Sequence, residues 1–127
     1  MRSLEQERAA HALRAVNSIR NKSCASKFRS YVERLPAAIV MNGLGQAMAS
    51  ELAAAGRAER EEDKSAHKEL YDLVSDWIRI RGIYSEEDLM AAIVKGEQDR
   101  YVLAQAEALA YLEWLKKFSQ AFLEKEV

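Results

Sequence analysis

The sequence predicts an all-α fold, a single-domain bundle of about five to six helices with an Ala-rich, buried C-terminal helix. Three observations carry that expectation. Apolar residues recur at three- and four-residue spacing along the chain, with little of the alternation that marks strands. There is one proline in 127 residues. And residues 101–115, "YVLAQAEALAYLEWL", are apolar or alanine on almost every side, the pattern of a helix enclosed by neighbours rather than laid on a surface. The length suits one domain with a real core and is short for two.

Ser3 with Gln6 reads as a capping box opening a helix that runs to about Arg20, with Ala9, Ala12, Leu13, Val16 and Ile19 on its inner face. "NKSCAS" makes the turn. A second helix starts near Ala25 and buries Phe28, Tyr31, Val32 and Leu35, and Pro36 either kinks it or opens its next segment. The stretch "LPAAIVMNGLGQAMASELA", residues 35–53, is interrupted by Asn42, Gly43, Gly45 and Gln46, although Gly costs roughly 1 kcal/mol against Ala within a helix. Asn42 and Gly43 fit a C-cap in which Gly takes the left-handed conformation, with a new helix from about Leu44. Gly45 and Ala47 then allow close helix contact, and the amides of Asn42 and Gln46 face a surface.

The charged stretch "RAEREED" marks a loop near 57–64. Beyond it, Ala66, Leu70, Val74 and Trp77 share one helix face and Gly82 serves as C-cap. Ser85 and Asp88 frame a further helix start, with Glu86, Glu87 and Asp88 in a first turn that the helix dipole favours, and Gly96 ends that short helix. The last helix becomes amphipathic again where Lys116 and Lys117 leave it.

The near-neutral charge hides an asymmetry: residues 1–34 hold eight Lys/Arg against three Asp/Glu, and the remainder is acidic. A basic third of this kind suits a polyanion or an acidic partner. No apolar run approaches the ~20 residues of a membrane span. "MRSLEQERAAH" lacks the apolar core of a signal peptide, so a cytoplasmic location is expected. Cys24 is the single cysteine, and no internal disulfide can form.

Catalysis finds no foothold. His11 and His67 stand apart without metal-ligand spacing and read as surface or capping residues. Cys24 lacks a partner that would mark it as a nucleophile and reads as a semi-buried thiol. Trp77 and Trp114 sit at core spacing. "GLG" lacks the third glycine and the preceding strand of a dinucleotide fingerprint. The expectation is a protein that is not an enzyme, with no cofactor and no metal.

Four blocks, "LEQERAAHA", "LPAAIVMNGLGQAMA", "LYDLVSDWIR" and "EALAYLEWLKKFSQAFL", occur in that order and together cover most of the chain outside about 57–65 and 82–100. In that order the chain resembles the small helical subunit of type III-B CRISPR effector complexes, the Cmr complexes. The resemblance implies an all-α, non-catalytic subunit of an antiviral RNA-guided complex. Such a subunit packs along the filament beside the backbone subunits, the large signalling subunit and copies of itself, and helps to hold target RNA paired with guide RNA. By the block match, Gln6, Asn42 and Gln46 become candidate subunit contacts. Arg8, Arg14, Arg20, Lys22, Lys27, Arg34, Lys116 and Lys117 become candidates for the RNA backbone. Within helix two, Lys27 and Arg34 lie two turns apart on one side.

The competing expectation is a helical DNA-binding regulator whose basic first two helices form a helix-turn-helix. "NKSCAS" is loose for such a turn, and the second helix loses its polar face within three turns.

Overall fold

The computed structural model describes residues 1–85 and 88–127, and among these the regular structure consists of six helices. They are α1 (Leu4–Ile19), α2 (Ala25–Asn42), α3 (Leu44–Arg57), α4 (Glu61–Ile80), α5 (Leu89–Lys95) and α6 (Gln98–Phe122). The all-α expectation holds. Helix α6 packs on α1, α2 and α4, α4 also lies against α2 and α3, and short α5 bridges α3 and α4.

Local chemistry explains the boundaries. The Ser3 side chain accepts from the Gln6 N–H while the Gln6 side chain accepts from the Ser3 N–H, so the expected capping box opens α1. Helix α2 continues unbroken through Pro36 to Asn42, although the ring removes one backbone donor from its interior. Gly82 follows the end of α4 at φ 71°, a left-handed position that suits Gly, and its N–H donates to the Arg79 carbonyl. The Asp88 carboxylate accepts from the Ala91 N–H and caps α5, and Gly96 closes that helix. Asp88 rather than Ser85 is thus the cap, while Glu86 and Glu87 lie outside the described residues.

The core joins Val16 and Ile19 of α1, Phe28 and Leu35 of α2, Met48 of α3, Leu70 and Ile78 of α4 and Tyr111, Leu112 and Leu115 of α6. Four expectations change. Leu13 is exposed, because α1 turns His11, Ala12 and Ala15 inward instead. Both histidines leave the surface: His11 is buried and His67 is half-buried between α2 and α3. The charged stretch after α3 divides, with only 58–60 as connection and Glu61, Glu62 and Asp63 in the first turn of α4, where the helix dipole favours carboxylates. Finally, α6 is central but not fully enclosed: Val102 and Leu103 are more than half exposed.

Candidate nucleic-acid and subunit interface

The break at 42–46 is a junction built by a third helix. Gly43 has φ 87° and ψ 158°, which is not the left-handed helical conformation expected but an extended mirror region open essentially only to glycine. A Cβ at Gly43 would stand 2.9 Å from the Tyr101 hydroxyl. That hydroxyl and the Gln105 side chain replace a local cap for α3: the Leu44 N–H donates to Gln105 Oε1 and the Gly45 N–H to Tyr101 Oη, each at 2.9 Å. The first amides of a helix have no partner of their own, and α6 supplies them. Gly43 therefore serves close approach by α6, whereas a Cβ at Gly45 would stand at ordinary contact distance, 3.5 Å from Ile93 and 3.6 Å from the Tyr101 hydroxyl. Asn42 and Gln46 remain exposed, and neither side chain bonds within the described residues.

The helices that meet at this junction carry exposed apolar side chains. Val40 and Met41 end α2, Val94 lies beside Ile93, which approaches Gly45, and Val102 and Leu103 follow Tyr101. All five are at least half exposed. Asn42 and Gln46 are thus exposed at a junction whose helices also carry these exposed apolar side chains.

The basic residues separate into two groups. Arg8 forks onto the Glu107 carboxylate, Nε to Oε2 at 2.6 Å and Nη2 to Oε1 at 3.0 Å, and also reaches Glu5. Burial pushes the Glu107 carboxyl upward, but hydrogen bonds from Arg8 and Trp77 Nε1 outweigh it and hold the group below its ordinary value. Lys22 pairs with Glu69 at 2.9 Å. Lys27 binds Glu126 and stands 3.7 Å from Asp63. Lys117 pairs loosely with Glu113 at 3.6 Å.

Arg14, Arg20, Arg34 and Lys116 make no ion pair within the described residues. Arg20 lies over the Phe122 ring and Arg34 over the Tyr31 ring. Tyr31 itself donates to Asp63 and stacks on His67 at 3.8 Å between centroids. Its hydroxyl is pushed up to about 12 by burial and Asp63. Arg20 and Lys22 share the wall of a broad polar groove at the α1–α2 turn. Arg14 lines a different pocket, between α1 and the end of α4. The predicted cations therefore do not form one patch. Gln6 is engaged in the α1 cap.

A chain of polar groups runs from buried Tyr111 and His11 out to the partly exposed Asp76. His11 Nδ1 is 2.6 Å from the Tyr111 hydroxyl and Nε2 is 2.9 Å from Asp76 Oδ2. A carboxylate only accepts, so Nε2 donates to Asp76, and in the neutral ring Nδ1 accepts from the Tyr111 O–H. Burial, then the Asp76 charge, raises the Tyr111 hydroxyl far above its ordinary value. This chain resembles a hydrolytic relay in composition, but its terminal hydroxyl is fully buried and has no route to a substrate. It ties α1, α4 and α6 together.

A family model described as CRISPR-associated protein (Cas_Cmr5) matches residues 4–122. The chain belongs to that family. A solved structure, the X-ray crystal structure of a CRISPR-associated Cmr5 family protein from Thermus thermophilus, is 28% identical. It matches 97% of this chain and 100% of its own at a TM-score of 0.76. The resemblance read from the four sequence blocks therefore holds, and the Cmr5 family is that of the small subunit of the type III-B CRISPR, or Cmr, complex. Its partners are other subunits of that complex.

Membership in the Cmr5 family removes the helix-turn-helix alternative. The geometry agrees, since α2 buries Phe28, Val32, Leu35 and Ile39, and its Lys27 and Arg29 are tied to neighbours. Among the described residues no group of three or more His, Cys, Asp or Glu is placed to hold a metal ion. Burial raises the Cys24 thiol, which opposes thiolate formation. No described helix is long and apolar enough to cross a membrane. Sequence reasoning missed Tyr101 and Gln105, because capping across some sixty residues of chain leaves no local signature.

Proposed function

We propose that the chain is a non-catalytic small subunit that packs along the Cmr filament in the cytoplasm and helps to hold target RNA paired with guide RNA in antiviral defence. The single observation that carries this reading is the family match over nearly the whole chain. Two features of the molecule support its division of labour. The α2–α3 junction offers Asn42, Gln46 and exposed Val40, Met41 and Val102 to a neighbouring backbone, signalling or identical subunit. Arg14, Arg20, Arg34 and Lys116 offer charge that no carboxylate among the described residues neutralises. Unsatisfied arginine and lysine at a surface suit sugar-phosphate contact that does not read bases.

The test compares effector complexes reconstituted with and without the chain. Complexes lacking it should still cut target RNA but release it sooner, and the isolated chain should neither cleave RNA nor hydrolyse nucleotides with Mg²⁺ or Mn²⁺. Equal retention of target in its absence would overturn the reading. So would cleavage by the isolated chain that is abolished by replacing one of its own acidic residues.

A further inference from the structure

The pocket between the start of α1 and the end of α4 gathers more unneutralised charge than any predicted site. Its volume is about 370 Å³, and Arg2, Glu7, His11, Arg14, Trp77 and Arg81 line it. Glu7, His11 and Arg14 follow helical spacing on one face of α1, while Trp77 and Arg81 stand one turn apart at the end of α4. Arg2 and Arg14 have no ion pair or hydrogen bond of their side chains within the described residues. Among the described residues Arg81 reaches only Glu107, at 3.9 Å, and that carboxylate is already held by the Arg8 fork and by Trp77 Nε1. Asp76 does not line this pocket and is engaged by His11 and Arg79. Among the described residues Glu7 is thus the one lining carboxylate set against three guanidinium groups.

We infer that this pocket is a binding site for the phosphodiester backbone of an RNA strand, with Arg2, Arg14 and Arg81 as its phosphate ligands. Guanidinium presents paired donors that match phosphate oxygens and loses less hydration than ammonium does. The spread of charge distinguishes a strand from a single small anion. From its first residue to Arg14, α1 rises about 15 Å at 1.5 Å per residue, and Arg2 lies beyond that first residue. The backbone positions that carry Arg2 and Arg14 therefore stand well apart along α1, a spacing that suits successive phosphates of a strand. Trp77 is only 3% exposed and is not available to stack on a base, so the site holds backbone without reading sequence. This assignment rests on the proposed role in holding target RNA and specifies where on the chain that contact is made.

The test places three versions of the chain in reconstituted complexes: wild type, Arg2→Glu with Arg14→Glu, and a control of equal charge change, Arg57→Glu with Lys64→Glu. Arg57 and Lys64 are exposed and lie outside the pocket. Release of labelled target RNA is followed across a salt titration and compared with complexes lacking the chain. If the pocket holds backbone, the Arg2/Arg14 variant still joins the complex but releases RNA about tenfold faster than the control, with a log–log salt slope shallower by about 1.4 for two lost single-strand contacts. Should omission of the chain speed release while the pocket variant matches the control, the pocket assignment fails and the RNA-holding role stands. Should omission change nothing, the role itself fails and takes the pocket with it. A last arm heats the free chain in millimolar inorganic phosphate. Stabilisation that disappears in the Arg2/Arg14 variant, with RNA release unchanged, would assign the pocket to a small anion and overturn the proposal.

Discussion

Arg8 shows how a residue type can mislead. It falls in a basic, RNA-suggestive stretch, yet its guanidinium forms a nearly dry fork with Glu107, the two side chains 15% and 10% exposed. Such a pair adds little net stability over an apolar replacement, but removing one partner leaves an uncompensated charge and costs roughly 3 kcal/mol. Arg8→Met should therefore lower the unfolding free energy by about that amount, read from the denaturation midpoint. The pH dependence follows from the depressed Glu107 carboxyl. Its stabilising contribution is complete above the ordinary 4.5 and is lost as pH falls through the lower native value. Glu107→Gln keeps an acceptor for Trp77 but no charge, so wild type should exceed it in melting temperature at pH 7. The gap should close on acidification below 4.5, and a gap constant with pH would refute the charge argument. His11 marks the limit of reading single residues. Its inward direction is set by α1 pairing with α6, where Tyr111 offers a hydroxyl, and no spacing near position 11 encodes a partner a hundred residues away.

At the scale of elements, helix starts were legible wherever the cap is local. Ser3 with Gln6 opens α1 where the sequence puts it. The connection after α3 was read too long because acidic residues look alike in a solvated loop and in a helix first turn. At the α2–α3 junction the sequence showed that something interrupts the helix but not what, since Tyr101 and Gln105 arrive from α6. Gly43→Ala should lower stability by about 1–3 kcal/mol, from the strained backbone region and the approach to the Tyr101 hydroxyl. Gln105→Ala removes an N-terminal cap and should cost about 1 kcal/mol. Gln46→Ala should leave the thermal transition unchanged yet weaken incorporation into the complex, measured by co-purification. Normal incorporation would remove Gln46 from the subunit contact.

For the whole molecule, the all-α class and the ordered blocks were enough to reach the family, because helical periodicity and motif order survive without knowledge of packing. The charge distribution was less readable. Counting Lys and Arg along residues 1–34 gives one basic region, but folding brings Glu69, Glu107 and Glu126 from later in the chain onto Lys22, Arg8 and Lys27. What remains positive is set by those long-range pairs and includes Arg2 and Arg81, which no sequence signal singled out. In the proposed function this small subunit adds electrostatic hold on target RNA to the Cmr complex. The most direct measurement is the salt dependence of target-RNA dissociation from complexes assembled with and without the chain. Release should be slower with the chain at low salt and its salt slope steeper, the two curves converging as salt rises. Parallel curves with the same slope would contradict the claim.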